Sequence, residues 1–383
     1  MTSAVERLVI TNFLGIEYAD IEIKPFNVLI GPQASGKSVV AKLLSFFGYV
    51  GGSFVYAVHP GSKLADWELH MGQYFAEMFP PYSWQTEAFK ICYCVNGIEL
   101  TVEKSTTQAL KVSLSEALKG YLGHDASAII NIEARLRQQY PFLVGKSVFV
   151  PASRSFYATI QQNMFALMSA NISIDPMLSR FGQFYEGIKR HFNGFDDPNI
   201  SQLVEQILKG KYQYDCLQDW IVASDKKVNI ANASSGQQEA LPLLMTVAHV
   251  AADTSGRMNT LYIEEPEAHL FPVAQSQVLS LLAMVYNSQR RVFITTHSPY
   301  ILSALNNLIM ACDKIAEGKL SHQTLVQING PCEPIAYDDV SAYTLVDGKS
   351  VSIKDDQYRM VGGDILDSIS DHFEAVVNRL LAE

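Results

Sequence analysis

The chain has 383 residues, of which 48% are hydrophobic, 18% charged and 10% aromatic. That supplies one large core or two ordinary ones and excludes wholesale disorder. With 29 Lys and Arg against 39 Asp and Glu, the formal charge is −10, which argues against attachment to nucleic acid by bulk charge and offers no polybasic membrane anchor.

Arg7–Phe13 and Asp20–Ile23 read as strands, and Phe26–Ile30 is the short apolar run of a strand buried on both faces. A helix pattern follows Gly31 through Lys37–Phe47. The most apolar stretch, Val39–Val58, is interrupted by Lys42, Gly48, Gly51 and Gly52, so it reads as a buried helix plus loop. The first residues carry charges without a continuous apolar run, so no secretory signal is expected. These features predict a soluble cytoplasmic protein with no membrane span. Trp67–Met78 is predicted helical, and Ala88–Val95 pairs with Ile98–Glu103 across Asn96-Gly97, a strong hairpin signal. Cys92 and Cys94 would share one face of that strand. No second cysteine pair completes a metal site, so these two, with Cys216, Cys312 and Cys332, are expected as buried free thiols.

Ser147–Val150 is a predicted strand closed by Pro151. From Ser155 to about Trp220 the patterns are mainly helical (156–170, 177–192, 201–208). Strands and helices then alternate: helix 237–251, strand 260–263, helix 272–286, strand 291–295, helix 299–305. Such alternation implies a parallel or mixed sheet with helices on both faces. A turn at Asp347-Gly348 and an amphipathic helix over 365–381 complete the chain.

Gly31-Pro32-Gln33-Ala34-Ser35-Gly36-Lys37-Ser38 fits G-x-x-x-x-G-K-[ST] at every fixed position. Glycine lets the backbone turn its N–H groups onto phosphates, and the following helix adds its positive end. Lys37 would reach the β- and γ-phosphates of ATP, and the Ser38 hydroxyl would bind Mg²⁺. Thr260–Glu265 is an apolar strand ending in two acids that must point apart. Glu264 is therefore assigned to the Mg²⁺ shell and Glu265 to the attacking water. Arg291–Pro299 repeats the design, with His297 at the strand end, able to contact a γ-phosphate or hold the water. Ala233–Glu239 opens an apolar helix, with Ser235 as the expected N-cap and Gln238 reaching back.

In this order the motifs resemble ABC-type ATPases of the RecF/SMC/OLD branch, including the stand-alone AAA-family ATPases of bacterial anti-phage operons. Gly31–Ser38 matches the Walker A loop, Ala233–Gln237 the signature, Ile263–Pro266 the Walker B end, Ala268–Phe271 the D-loop and His297 the H-loop. Glu264–Pro272 and Thr295–Leu302 look like OLD-type heads. Glu264 stands where Asp is usual, Ala233 and Ser235 depart from LSGGQ, and Pro151–Arg154 replaces a Q-loop, with Arg154 read as a structural salt bridge ahead of a contact to phosphate, nucleic acid or a lid acid.

The resemblance implies an α/β P-loop NTPase, an ABC-ATPase head with a mixed sheet, an antiparallel β subdomain and a helical lid insertion. Its parts would be residues 1–150, the lid at 151–225 and 226–383. It further implies Mg²⁺-dependent ATP hydrolysis in a homodimer or higher even oligomer. Each ATP would meet Lys37, Ser38, Glu264, Glu265 and His297 of one chain and Ser234 and Gly236 of the other. No D-x-D follows His297, so no nuclease is expected here, and an effector, a nuclease for example, is expected as a separate protein in an anti-phage or toxin–antitoxin role. The alternative is a RecF-like DNA-repair clamp, for which Lys189, Arg190 and His191 are a small basic cluster, otherwise a solvated helix face.

Overall fold

Strands that are apolar on both faces need a layer on each side. The computed structural model describes residues 6–57, 63–84, 88–107, 109–121, 126–160, 174–215, 218–224, 226–365, 374 and 377–380. In it, β1 (Glu6–Phe13), β2 (Ile16–Ile23) and β3 (Phe26–Ile30) open the chain. The hairpin β4 (Phe89–Val95) and β5 (Ile98–Lys104) turns at Asn96 and Gly97, both at positive φ, and β6 (Lys111–Leu114) follows. β7 (Lys146–Val150), β11 (Met258–Glu264) and β12 (Arg291–Thr296) come next in the main sheet. A further hairpin of this sheet, β13 (Val340–Val346) and β14 (Lys349–Ser352), turns at Asp347-Gly348.

These strands form one mixed sheet of order β6-β5-β4-β1-β2-β14-β13-β3-β12-β11-β7. β13, β3, β12, β11 and β7 run parallel, whereas β2, β1, β4, β5 and β6 pair antiparallel. The mixed sheet and antiparallel lobe agree with the expected fold class.

The two sheet faces bury separate cores. Alternation along β3 sends Phe26, Val28 and Ile30 to one and Leu29 to the other. The second core takes α1 (Lys37–Ala57) and α2 (Leu64–Met78). α1 continues through its glycines where a loop was expected, because Phe46, Phe47, Val50 and Phe54 repeat on its buried face. Each such side chain stabilises the fold by about 1.5–3 kcal/mol.

After the helices α3 (Glu116–Lys119), α4 (Ala126–Gln139), α5 (Pro141–Val144) and α6 (Phe156–Ile160) come α7 (Pro176–Arg190) and α8 (Pro198–Leu208). Asp175 and Asp197 cap α7 and α8 by accepting from two backbone N–H groups each.

Two sequence expectations fail here. The helical reading holds at 177–192 and 201–208 but fails beyond Leu208, where a three-stranded sheet follows, β8 (Lys211–Asp215), β9 (Gln218–Ala223) and β10 (Lys226–Asn229). Alternation at Tyr212 and Tyr214 suits a strand better than a helix. Nor is Lys189 on a solvated face. It is 1% exposed and paired with Asp219 at 3.0 Å, while Tyr212 donates to the other Asp219 oxygen at 2.5 Å.

The remaining helices are α9 (Ser235–Ala252), α10 (Pro272–Asn287), α11 (Pro299–Ala316) and α12 (His322–Asn329). α11 is longer than expected because its apolar stripe continues through Leu308, Ile309 and Ala311. Cys92, Cys94, Cys312 and Cys332 are free; Cys92 and Cys332 are buried as expected, whereas Cys94 and Cys312 are only half-buried, and the Cys92 and Cys94 sulfurs lie 3.1 Å apart on the shared face. Cys216, most of the expected 156–170 helix and most of the 365–381 helix fall outside the described residues.

Candidate nucleotide site

Five parallel strands end at one edge of the sheet, where open α/β sheets gather ligand-binding loops. β3 leads into Gly31, β7 into Pro151, β12 into His297 and β13 into the 346–348 turn, while β11 ends at Glu264. The sequence motifs therefore meet without any of them being near another in the chain.

Gly36 shows why the loop is glycine-rich. Its φ is +100°, and a Cβ there would sit 2.9 Å from Ile16 Cγ1. Lys37 folds over its own loop, donating to Gly31 O at 2.8 Å and Pro32 O at 2.6 Å. Its Nζ is also 3.4 Å from His297 Nδ1. Because an ammonium only donates, Nδ1 accepts, which leaves Nε2 to carry the proton. His297 Nε2 then donates to Glu265 Oε1 at 3.0 Å. Lys37, His297 and Glu265 thus form one hydrogen-bonded line. Burial lowers the Lys37 pKa, opposed by the charges of Glu265 and Glu267.

Glu264 is separated from that line, not by strand alternation as expected but because β11 ends at it and Glu265 turns off at φ +45°. Glu264 is buried and accepts from Ala152 N at 3.2 Å, with the Ser38 side chain near enough to act on its carboxylate. Burial raises its pKa above the ordinary carboxylate value, opposed by Ser38, Lys42 and Ala152. Its Oε1 is buried with no hydrogen-bond partner. Beside the P-loop, a cavity of about 320 Å³ lies between Gln33 and Ala34 on one side and Val346, Asp347 and Gly348 on the other.

Two positioning residues lack a role in the sequence reading. Glu267 is buried, and its Oε1 accepts from Thr296 Oγ1 at 2.6 Å and from His297 N at 2.8 Å. It therefore fixes the backbone from which His297 projects. Gln275 accepts from Ser298 Oγ at 2.5 Å and donates to Leu270 O at 2.9 Å, joining the segment after Glu265 to the one after His297.

Ser234 and Gly236 make their contacts away from the Lys37–His297–Glu265 line. Ser234, not Ser235, is the N-cap of α9, and Gln237, not Gln238, closes the capping box. The one-residue correction follows from Ser234 being extended while Ser235 is already helical. Gln238 instead donates to Ile230 O and Ala231 O. A Cβ on Gly236 would lie 2.7 Å from His269 O, so only glycine lets α9 approach that loop this closely. His269 itself is exposed at positive φ and contributes its carbonyl to this contact. Arg154 is 0% exposed and donates to four backbone carbonyls, which bears out its structural reading and extends it.

A strand–P-loop–helix unit facing two acids and a histidine at neighbouring strand ends defines a P-loop ATPase. The chain belongs to the AAA ATPase domain family, whose model matches residues 96–302. No curated protein sequence matches it. Among solved structures, it is similar to an SMC head bound to the C-winged helix domain of ScpA, at 14% identity and TM-score 0.44, covering 78% of this chain and 91% of that one. The SMC head domain from Thermotoga maritima gives 12%, 0.42, and coverage of 92% and 99%. An SMC head with an extended coiled coil bound to the C-terminal domain of ScpA derived from Pyrococcus furiosus gives 12%, 0.43, and coverage of 97% and 99%. Among the described residues, no helix is long and apolar enough to cross a membrane.

Proposed function

We propose that this ATPase binds Mg²⁺·ATP between two heads, hydrolyses it, and passes its nucleotide state to a separate protein. The observation that carries the reading is the convergence of Lys37, His297 and Glu265 in one hydrogen-bonded line, with Glu264 beside Ser38.

The P-loop N–H groups of Gly31–Ser38 would hold the phosphates. Lys37 would exchange the carbonyls of Gly31 and Pro32 for β- and γ-oxygens. The cavity between Gln33 and the Val346–Gly348 turn would take the nucleoside. Ser38 and Glu264 would hold Mg²⁺. The unpartnered buried Oε1 of Glu264 fits a cation, which would supply charge neutralisation at the phosphates. Glu265 would accept the proton of the attacking water, and His297 Nε2–H would orient that carboxylate.

Two features support pairing of heads. At the α9 N-terminus Ser234 and Ser235 are exposed and Gly236 is half-buried, which leaves the serine side of the terminus open to another chain's phosphate. Phe271 (76% exposed), Val273 and Tyr300 are large apolar side chains in the segments that follow Glu265 and His297. A DNA-clamping role is less well supported, since Lys189 is buried in an ion pair and the net charge is −10. A sensor or scaffold role in an anti-phage or toxin–antitoxin system, within the cytoplasm and with a separate effector, is the version we adopt. The division into a head at 1–150 and 226–383 with an insertion at 151–225 belongs to the same proposal.

The test is Glu265→Gln, with light scattering used to measure mass with and without Mg²⁺·ATP. A nucleotide-dependent doubling, with hydrolysis abolished, is expected. A variant that stays monomeric with ATP and still hydrolyses it refutes the reading.

A further inference from the structure

A non-glycine residue with positive φ has to be held there, because the left-handed region costs a β-substituted residue about 1–2 kcal/mol. Glu265 has φ +45°. The peptides before and after it carry the carbonyls of Glu264 and Glu265, so fixing both carbonyls fixes its φ and ψ together. Arg154 does this with one guanidinium. Nη1 donates to Glu264 O at 2.8 Å and Nη2 to Glu265 O at 2.8 Å. Nη1 also donates to Pro151 O at 2.9 Å, anchoring the fork to its own loop.

The remaining edge of the same guanidinium points elsewhere. Nε donates to Glu239 O at 2.9 Å, in the opening turns of α9. The Glu239 side chain is buried too, and its Oε2 lies 3.6 Å from Nε without a hydrogen-bond partner. A shift of under an ångström would turn that contact into a charge-assisted hydrogen bond near 2.8 Å. Two arrangements of Nε, on the Glu239 carbonyl or on its carboxylate, are thus separated by a small movement of α9.

We propose that Arg154 is a positioning residue that sets the Glu265 turn and couples it to α9, so that docking of the α9 N-terminus is felt at the chain's own Glu265. The coupling rests on the two-head reading, in which that N-terminus meets the ATP of the other chain. The positioning of Glu265 does not. A planar fork is required for both, because an ammonium cannot span the two carbonyls and reach Glu239 as well.

The experiment compares Arg154→Lys and Glu239→Gln with the wild type in the full chain. It measures melting temperature, affinity for a fluorescent ATP analogue, kcat and the Hill coefficient for ATP. Arg154→Lys is expected to bind the analogue within threefold of wild type, to lose about 100-fold in kcat, and to bring the Hill coefficient from above 1 to 1. Glu239→Gln keeps the carbonyl acceptor and removes the charge. It should lower the Hill coefficient while kcat stays within fivefold, and it decides the coupling if Arg154→Lys does not fold. A folded Arg154→Lys with kcat within threefold of wild type overturns the positioning role. A Hill coefficient of 1 in the wild type, or one unchanged in both variants, overturns the coupling. Failure of the two-head reading shows separately, as a Glu265→Gln protein that forms no ATP-bound dimer.

Discussion

Removing Glu267 tests whether the histidine loop is held from below. One buried oxygen, Oε1, takes both the Thr296 hydroxyl and the His297 backbone N–H. Hydrogen bonds to a charged acceptor contribute about 1.5–3 kcal/mol each, and part of that is offset because the carboxylate no longer needs burying. Glu267→Ala should therefore cost roughly 2–4 kcal/mol, a fall of roughly 2–5 °C in melting temperature for a chain this large. Glu267→Gln keeps the Oε1 acceptor and places an amide where Oε2 has no partner, so it should cost about 1–2 kcal/mol. The kinetic consequence is larger. Without its anchor the His297 ring drifts from Glu265, and a misplacement of about 1 Å lowers turnover by about 100-fold. Steady-state ATPase assays with a melting curve for each variant measure both effects. A Glu267→Ala protein with kcat within threefold of wild type would show that the loop holds itself.

Other perturbations follow from the same geometry. Burial raises the Glu264 pKa above its ordinary 4.5, so the nucleotide-free folded chain binds this proton more tightly than the unfolded chain. The resulting stabilisation is complete below about pH 4.5 and is lost as pH rises through the folded value. Urea titrations should show the wild type losing stability relative to Glu264→Gln across that window, and parallel curves would exclude it. Lys189→Met takes the ammonium from a buried carboxylate and should destabilise by about 3–5 kcal/mol, read as a lowered urea midpoint. A change under 1 kcal/mol would mean that Asp219 does not depend on it. Gly36→Ala combines a φ of +100° with a clash against Ile16 and should abolish binding of a fluorescent ATP analogue. Retained binding would mean that the loop tolerates another path.

The parts of the site legible in the sequence were those written as local patterns. The P-loop, the Glu264-Glu265 strand end and His297 each follow an apolar run, and each takes its position from the strand before it. Glu267 was not legible, because its partners Thr296 and His297 come from another strand and one hydrogen bond is to backbone. Arg154 was visible in Pro151–Arg154 only as one side of an ion pair, since four of its contacts are carbonyls with no sequence signature. Lys189 could have been found. It lies four residues after Tyr185 and eight after Phe181 on the α7 stripe that faces the core, where a solvated lysine has no place. The 346–348 turn reaches the P-loop only because β13 inserts beside β3, a parallel pairing that strand patterns do not specify.

The charges around Lys37 set the terms for nucleotide entry. Glu264, Glu265 and Glu267 gather about one lysine and one histidine, and ATP brings several more negative charges to the same edge. At about 5 Å and an effective dielectric of about 20, one carboxylate–phosphate pair repels by about 3 kcal/mol, roughly a hundredfold in affinity. Glu264 has the least solvent to screen that repulsion, and it is the acid we assign to Mg²⁺. Metal-free ATP should therefore bind the wild type about 10- to 100-fold more weakly than Mg²⁺·ATP. Glu264→Gln should bind metal-free ATP more tightly than the wild type and gain much less from Mg²⁺. Calorimetric titration in EDTA and in Mg²⁺ gives all four constants. Equal gains from Mg²⁺ in the two proteins would place the cation's hold elsewhere than Glu264, and equal affinities in EDTA would remove repulsion by its carboxylate as the reason for a metal requirement.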